Sequence, residues 1–458
     1  MMRPRLDAIR ECLEGAVPGI MATCSADGMP NVAYLSQTEY VDGHHVALSW
    51  QFFNTTRRNI LENPNARLIV THPRTAERYR LQLRYLRTET AGPLFERMKA
   101  RLAGIASHTG MSGVFRLLGS DIYRVVDVER VPGPALAPPP PRASLLAALR
   151  STAARIACCR ELDTLLTETL ASLETHFDIR HTMVLLLDGS ATRLYTIASR
   201  GYEHSGVGSE IPLGQGVIGV AAREATPIRI GYMTLEYAYG RAIRAATEES
   251  GLADALETEI PLPGLAESRS QLAVPIRACG RLLGVLYVES PQELRFGYDD
   301  EDALVALAGQ LGAAMLSLQQ ASELNEEAIA PEPQARPVDG SPLVVRHYAE
   351  DDSIFLDDDY LIKGVAGSIF WALVRDHAEA GRSTFSNREL RLDPRIRLPD
   401  VSDNLEARLI LLRRRLNERD ACVRLEKAGR GRLLLTTRRP LTLVEVGAGG
   451  PRPTPACG

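Results

Sequence analysis

Arginine is concentrated near the C-terminal end of the chain, in a pattern that suits phosphate binding. Between 401 and 440 eleven basic residues stand beside five acidic ones, although the whole chain carries a formal net charge of −4. In the stretch "DNLEARLILLRRRLNE" leucines recur at helical spacing and share one side of the helix. Arginine forms bidentate contacts with phosphates and with guanine edges. The pattern predicts a DNA-binding helix over 405–418, and a solvated helix of a protein-interaction domain is the alternative.

Six arginines are predicted to form this DNA-binding surface. Leu405, Leu409, Leu412 and Leu416 make the core stripe of the helix. Arg408 and Arg415 lie seven residues apart, so we expect one exposed face to carry both. Glycines on both sides of Arg430 predict a flexible cationic turn that suits a minor groove. The six residues are Arg408, Arg413, Arg414, Arg415, Arg430 and Arg432.

A second phosphate-binding pattern lies near the N-terminal end. Hydroxyl groups and cations come together over 54–58, "NTTRR", at the start of a predicted helix. Free N–H groups at a helix start favour an anion. Trp50 and Gln51 precede this segment and could line a ring-binding site. The alternative is that Trp50 belongs to a core and that the two arginines are solvated helix charges.

Two proline-rich stretches divide the 458 residues into three blocks. The stretches cover 131–142 and 321–342, and they predict solvated linkers because repeated prolines exclude helix and central strand. The blocks are 1–130, 143–320 and 343–446, and 447–458 is expected to be a disordered tail. Seven cysteines show no metal-binding spacing. Neither a signal peptide nor an apolar run of membrane-spanning length is apparent, so we expect a cytoplasmic protein that does not bind a membrane.

The first block, with "ATCSADGMPNVAYLSQ" and "RRNILENPNARLIV", resembles the split-barrel flavin-binding domains of the pyridoxamine 5′-phosphate oxidase family. The resemblance implies a homodimer with FMN at the subunit interface. It assigns cofactor binding to Trp50, Gln51, Asn54, Thr55, Thr56, Arg57 and Arg58. Family members often carry Ser-Arg-Lys where this chain has Asn-Thr-Thr at 54–56, so Arg57 or Arg58 would supply the cation.

The middle block resembles a GAF domain through "SQLAVPIRACGRLLGVLYVES" and the upstream "IPLGQGVIGVA". That resemblance implies a six-stranded sheet and a ligand cavity roofed by 231–260. Plausible lining residues are Tyr232, Tyr237, Tyr239 and Arg241, and the alternative is a helical surface insertion. Helices over 145–177 and 302–317 flank the sheet, and they could pair with a second subunit or cover the sheet.

The last block is predicted to contain short leading strands, three helices and a β-hairpin. The helix "DNLEARLILLRRRLNE" followed by "VRLEKAGRGRLLLTT" resembles the winged-helix DNA-binding domain of OmpR-type response regulators. The resemblance implies DNA as a partner. No receiver domain with a phosphoacceptor aspartate precedes it, so any input differs.

Together these patterns predict a multidomain α+β protein: a split β-barrel, then a GAF α/β sandwich, then a winged helix. The expected function is a homodimeric, cytoplasmic, one-component transcription regulator that senses a small molecule or redox change. A flavin-dependent oxidoreductase regulated by its GAF domain is the alternative, although no acid–base dyad or activated nucleophile is apparent. A protein-binding scaffold is a third interpretation. FMN is a possible cofactor, and the effector cannot be named.

Overall fold

The structure, a computed structural model, describes most of the chain. The described residues are 4–13, 17–35, 37–51, 55–108, 116–138, 143–231, 260–324, 340–396, 405–419, 421–429 and 431–447.

The first block is built on a seven-stranded antiparallel sheet with the order β2-β1-β5-β6-β7-β4-β3. A 3₁₀ helix at Leu6–Leu13 precedes it and buries Leu6, Ile9 and Leu13 in the barrel core. The elements are β1 (Gly19–Cys24), β2 (Pro30–Leu35), β3 (Thr38–Asp42), β4 (His45–Trp50), α1 (Thr55–Glu62), β5 (Asn65–Thr71), β6 (Arg78–Glu89), α2 (Pro93–His108) and β7 (Gly119–Val131).

The sequence pattern predicts one strand over 31–38, but the structure has two strands there. Strand β2 ends at Leu35 and pairs with β1, whereas β3 begins at Thr38 and pairs with β4. These strands occupy opposite edges of the sheet. The chain therefore passes from one edge strand of the sheet to the opposite edge strand within a few residues. An alternating pattern alone does not reveal such a change of strand.

The middle block contains a six-stranded antiparallel sheet with the order β10-β9-β8-β13-β12-β11. One face packs on α3, α4 and α6, and the other on α5. The elements are α3 (Leu145–Ala157), α4 (Leu162–Phe177), β8 (His181–Leu187), β9 (Arg193–Arg200), β10 (Glu210–Pro212), α5 (Gly216–Glu224), β11 (Ile228–Ile230), β12 (Ser270–Ala278), β13 (Arg281–Ser290) and α6 (Tyr298–Leu324).

The predicted single helix over 145–177 is wrong, because the chain turns between α3 and α4. Helix α3 is capped by Cys158, whose N–H donates to the carbonyl of Arg155, and the N–H of Cys159 donates to the carbonyl of Ile156. Glu161 precedes α4 in an extended conformation. The break lets both helices lie against the sheet and α6, where Leu165 and Leu173 are fully buried. No glycine or proline marks it in the sequence.

Helix α6 is the long core helix of the middle block. It buries Leu304, Leu307 and Leu311 completely. Its segment Tyr298–Ala321 also has the length and mean hydropathy, 1.2, of a membrane span, and 44% of the most apolar window is buried inside the protein. The apolar residues of this segment thus serve, at least in part, to cover the GAF-like sheet.

The C-terminal block has two small sheets around three helices. The first sheet has the order β16-β15-β14-β20, with β14 and β20 parallel, and the second has the order β17-β19-β18. His347 on β14 is 5% exposed and stacks on Trp371 at 4.8 Å between ring centroids. The elements are β14 (Leu343–Tyr348), β15 (Ser353–Leu356), β16 (Asp359–Ile362), α7 (Gly364–Ala380), β17 (Thr384–Ser386), α8 (Asn387–Leu392), α9 (Leu405–Glu418), β18 (Val423–Lys427), β19 (Arg432–Thr437) and β20 (Leu441–Val446).

A buried ion network joins the first block to the middle block. Arg101 of the first block donates to Glu39 at 2.7 Å and lies 3.6 Å from Glu301 of the middle block. Glu301 also accepts from Arg229 at 2.7 Å. Arg97 lies 3.0 Å from the second oxygen of Glu39. Except for Arg97, these residues are at most 8% exposed. Charges removed from water are stable only when they are paired, so this network holds the two blocks in one arrangement.

Tyr298 lies at the centre of the same interface. Its hydroxyl donates to the carbonyl of Leu13 at 3.2 Å and accepts the N–H of Tyr40 at 3.2 Å. The guanidinium carbons of Arg229 and Arg101 lie 4.4 Å and 5.4 Å from its ring centroid. The ring therefore stabilises both cations through its π face.

We expect Glu301→Gln to destabilise the protein strongly, because Arg229 would keep its burial and lose its counterion. The loss should be about 3–5 kcal/mol, as for other broken buried pairs. Burial opposes ionisation of Glu301, but Arg229, Arg101 and Arg97 outweigh it and lower the carboxyl pKa. Because the pKa of Glu301 is lower in the folded than in the unfolded protein, its ionised carboxylate stabilises the fold at pH values above the unfolded pKa. This contribution is lost as the pH falls through the folded-state pKa.

Unfolding by denaturant, followed by circular dichroism at several pH values, measures this effect. The difference in the free energy of unfolding between wild type and Glu301→Gln should reach its full size at pH 7 and shrink as the pH falls below about 4. Asp302→Asn is the matched control on the next residue, since the Asp302 side chain is 66% exposed; it should cost less than about 1 kcal/mol. Equal effects of both variants would contradict a structural role for the buried network.

Candidate functional site

The predicted phosphate segment of the first block lies at the start of α1, and its arginines have different surroundings. Arg57 is 9% exposed and forms an ion pair of 2.5 Å with Asp121 on β7. Its guanidinium carbon lies 4.3 Å from the centroid of the Trp50 ring. Arg58 is exposed at the surface. The structure therefore uses Arg57 inside the barrel and leaves Arg58 accessible.

The ion pair of Arg57 belongs to a small polar network within the barrel. Asp121 also accepts the hydroxyl of Thr88, which in turn contacts the hydroxyl of Tyr85 at 2.7 Å. Burial raises the pKa of Asp121, and the contacts with Thr88 and Arg57 oppose that rise. The Tyr85 and Tyr123 rings meet edge to face at 5.6 Å. These contacts fix Arg57 and one face of Trp50 in place.

The remaining residues of the predicted flavin site are only in part available to a ligand. Thr56 is 8% exposed and its hydroxyl accepts from the amide of Asn31 at 2.8 Å. Thr55 is exposed. Gln51 is 8% exposed, and its Oε1 has no hydrogen-bond partner among the described residues. Asn54 lies outside the described residues.

The predicted lining residues of the middle block, Tyr232, Tyr237, Tyr239 and Arg241, lie outside the described residues. The described sheet of the middle block carries a buried carboxylate that the sequence analysis did not single out. Glu289 on β13 is 1% exposed, accepts the N–H of Leu265 at 3.0 Å and lies 3.3 Å from the Tyr287 hydroxyl. Its position in the run "LYVES" gives no signal of burial beyond strand alternation.

Helix α9, the predicted DNA-binding helix, lies against the middle block. Arg414 donates to Asp163 on α4 at 2.6 Å and to the carbonyl of Ile197 on β9 at 2.8 Å. The guanidinium carbon of Arg408 lies 4.3 Å from the ring centroid of Tyr195, also on β9. Two of the predicted DNA-contacting arginines thus contact protein in this arrangement.

The prediction that Arg408 and Arg415 share an exposed face is wrong for this arrangement. They are 8% and 7% exposed. Arg415 donates to the carbonyl of Leu361 at 3.1 Å and to Glu418 at 3.1 Å. The reason is that α9 is covered on two sides, by its own block through the leucine stripe and by the middle block through the arginines. The helical spacing of the leucines predicts the contact of α9 with its own block, but it does not predict the contact with the middle block.

The other predicted DNA-contacting residues have a different environment. Arg413 and Arg432 are half-buried, and neither side chain has an ion pair or hydrogen bond within the described parts of the chain. Arg430 lies outside the described residues. Arg413 and Arg432 therefore remain available to an anion.

Comparisons with known proteins agree with two of the three resemblances. The family model "Pyridoxamine 5'-phosphate oxidase" matches residues 6–118 and the family model "GAF domain" matches residues 161–315. A search of the curated proteins found no match.

Solved structures resemble parts of the chain at low identity. One is the GAF domain of an Acinetobacter phosphoenolpyruvate-protein phosphotransferase, at 21% identity and TM-score 0.31, covering 38% of this chain and 94% of that one. Another is the free methionine-R-sulfoxide reductase of Neisseria meningitidis, at 23% and 0.31, covering 39% and 96%. A third is an FMN-binding protein of Syntrophomonas wolfei, at 15% and 0.24, covering 28% and 86%.

Each family model lies within one block of the chain: the match over 6–118 includes strands β1 to β6 of the first sheet, and the match over 161–315 includes all six strands of the middle sheet. The chain therefore contains a pyridoxamine 5′-phosphate oxidase-like split-barrel domain over 6–118 and a GAF domain over 161–315.

Proposed function

We propose that the protein is a one-component regulator whose C-terminal block binds DNA and whose GAF and split-barrel domains control that binding. The observation that carries the proposal is the contact between α9 and the GAF domain. Arg414, the best-paired arginine of the predicted DNA surface, holds a GAF carboxylate, Asp163, at 2.6 Å. In this interpretation the GAF domain occupies the surface that DNA needs.

The element order of the C-terminal block supports a winged helix. Three helices, α7, α8 and α9, precede the hairpin β18–β19, and β17 adds a third strand beside β19. Helix α8 begins with a capping box formed by Ser386 and Glu389. In a domain of this kind the third helix would enter the major groove and the hairpin would lie beside it.

DNA and the GAF domain would compete for the same guanidinium groups. Arg414 can satisfy its donors with Asp163 and the Ile197 carbonyl, or with phosphate oxygens, but not with both. Lys427 of the hairpin adds to the docked state by pairing with Glu161 at 3.1 Å. A ligand of the GAF domain would control DNA binding if it had different affinities for the docked and undocked states.

Removing the competing carboxylate should therefore strengthen DNA binding. We expect Asp163→Asn to bind a duplex of about 30 base pairs several-fold more tightly than wild type, in fluorescence anisotropy at several salt concentrations. Joint replacement of Arg413, Arg414 and Arg415 by Ala should abolish the gain. It should also weaken the dependence of DNA affinity on salt concentration, as expected for the loss of up to about three phosphate contacts.

Glu168→Gln is the matched control for this experiment. Glu168 lies on the same helix as Asp163 but pairs with Arg155, so its loss should leave DNA affinity unchanged. If the triple alanine variant binds the duplex as tightly as wild type while keeping its circular dichroism spectrum, α9 is not a DNA-binding helix.

A flavin-dependent oxidoreductase remains the second candidate function, and the start of α1 favours a bound FMN. Thr55 and the accessible Arg58 could hold the phosphate beside the free N–H groups of the helix. The buried Oε1 of Gln51, which lacks a hydrogen-bond partner among the described residues, could accept a ring N–H. These residues fit the cofactor, which would supply hydride or electron transfer when bound. Arg57 would act by holding Trp50 in place.

We expect Arg58→Glu to weaken FMN binding by about tenfold or more, because a phosphate would then face a carboxylate. The measurement is the quenching of flavin fluorescence when apoprotein is added. Arg67→Glu serves as the control, since Arg67 is exposed on β5; it should leave the affinity unchanged. Protein that takes up no FMN at millimolar cofactor would exclude both the flavin site and the oxidoreductase.

We also propose that the split-barrel domain forms a homodimer through its β2 edge. Val32 and Tyr34 lie on this strand and are 66% and 78% exposed, and Met29 just before it is 66% exposed. Large apolar side chains gathered at one exposed sheet edge favour pairing with a second chain.

Tyr34→Glu should shift the protein from dimer to monomer, because the carboxylate would be buried at the interface. Sedimentation velocity measures the change. Val126→Glu is the control, because Val126 is 62% exposed on a different strand, β7, and its variant should remain dimeric. A wild-type protein that is monomeric at micromolar concentration would contradict the proposed edge.

A further inference from the structure

A cavity of about 380 Å³ lies between the GAF domain and the C-terminal block. The middle block contributes the turn between α3 and α4 and the end of α6, and the C-terminal block contributes α9 and the β18–β19 hairpin. The lining residues with charged side chains are Arg160, Glu161, Glu406, Arg413, Lys427 and Arg432.

The acidic residues of this cavity are already paired. Lys427 lies 3.1 Å from Glu161 and 3.4 Å from Glu406, so one lysine satisfies a carboxylate from each domain. Arg413 and Arg432 face the cavity, and neither has an ion pair or hydrogen bond in the described part of the chain. The same holds for Arg160. The cavity is therefore positive, with three guanidinium groups that can accept an anion.

Unpaired guanidinium groups that converge on one cavity repel one another, and a bound anion removes that cost. Each group offers a planar pair of N–H donors that matches a phosphate or carboxylate. The floor is apolar and includes Leu318, Leu409 and Leu433. Its volume is in the range of pockets that bind small molecules. The positive charge, the paired N–H donors and the apolar lining of the cavity together fit a small molecule that carries a phosphate and an apolar portion.

We propose that this cavity binds a small phosphate-bearing anion that bridges the GAF domain and the C-terminal block. Arg160 belongs to the middle block, whereas Arg413 and Arg432 belong to the C-terminal block, so the complete site exists only when the two are docked. The anion therefore stabilises the docked arrangement.

A consequence for regulation follows, and this consequence alone rests on the proposed DNA binding. Arg413 and Arg432 are part of the predicted DNA surface. An anion that holds them keeps α9 on the GAF domain and away from DNA. The effector would then act at the domain interface and oppose DNA binding directly.

Calorimetric titration of the full chain with inorganic pyrophosphate and with ADP, in the absence of DNA, tests the site. We expect one binding site per chain, and affinity about tenfold weaker in Arg160→Gln and in Arg432→Gln. Stronger binding of ADP than of pyrophosphate would show that the apolar floor contributes. Circular dichroism establishes that each variant is folded.

Two controls separate this site from general electrostatic attraction. The control variants are Arg150→Gln and Arg438→Gln. Arg150 lies on α3, ten residues before Arg160, and Arg438 directly follows β19, the strand that carries Arg432. Both arginines are exposed and outside the cavity lining. These variants should bind both probes like wild type. The proposal is overturned if wild type binds neither probe at millimolar concentration, or if the controls weaken binding as much as the cavity variants.

Arg160 also separates this proposal from DNA binding, because it is not part of the predicted DNA surface. If the cavity variants lose pyrophosphate while wild type shows no affinity for DNA under any condition, the anion site stands and the DNA-binding function fails. If duplex DNA binds through Arg413 and Arg432 but neither probe binds, the cavity is only the docked form of a DNA surface, and the anion site is rejected.

Discussion

The arrangement of the three blocks depends on pairing charges that are removed from water. At the first interface Glu39 and Glu301 are nearly fully buried, and Arg101 of the first block lies 2.7 Å from Glu39 and 3.6 Å from Glu301 of the middle block. At the second, Arg414 reaches across to Asp163, 251 residues earlier in the chain. A buried charge that loses its partner is costly, so each interface tolerates only a few relative positions. Apolar contacts alone would allow more sliding between the blocks.

The two interfaces differ in a way that bears on signalling. The barrel interface has a closed centre, because Glu39, Arg101, Arg229, Tyr298 and Glu301 are each at most 8% exposed. The interface of the GAF domain with α9 is wetter: the Arg414 and Asp163 side chains are 21% and 32% exposed. Partly exposed pairs contribute less to stability than buried ones. The ion pairs of the barrel interface are therefore the more strongly buried, whereas one apolar cluster runs from the GAF domain into the C-terminal block.

Local patterns predicted much of the C-terminal block and little of the contacts between blocks. The bounds of α9 follow from leucine spacing, and those of α7 from its apolar face and from Gly381, whose φ of 66° ends the helix. The crossing between β2 and β3, the break at Cys158 and the parallel strand β20 lack comparable local signals. The burial of Arg408 depends on Tyr195, more than 200 residues away, and no spacing rule encodes such a partner.

The chain has two tryptophans, Trp50 and Trp371, and each lies beside a different kind of cation-forming group. Trp50 in the barrel is covered by Arg57, whereas Trp371 in the C-terminal block stacks on the imidazole of His347. The GAF domain has none. Tryptophan emission therefore reports on the two ends of the molecule, with no tryptophan in the domain between them.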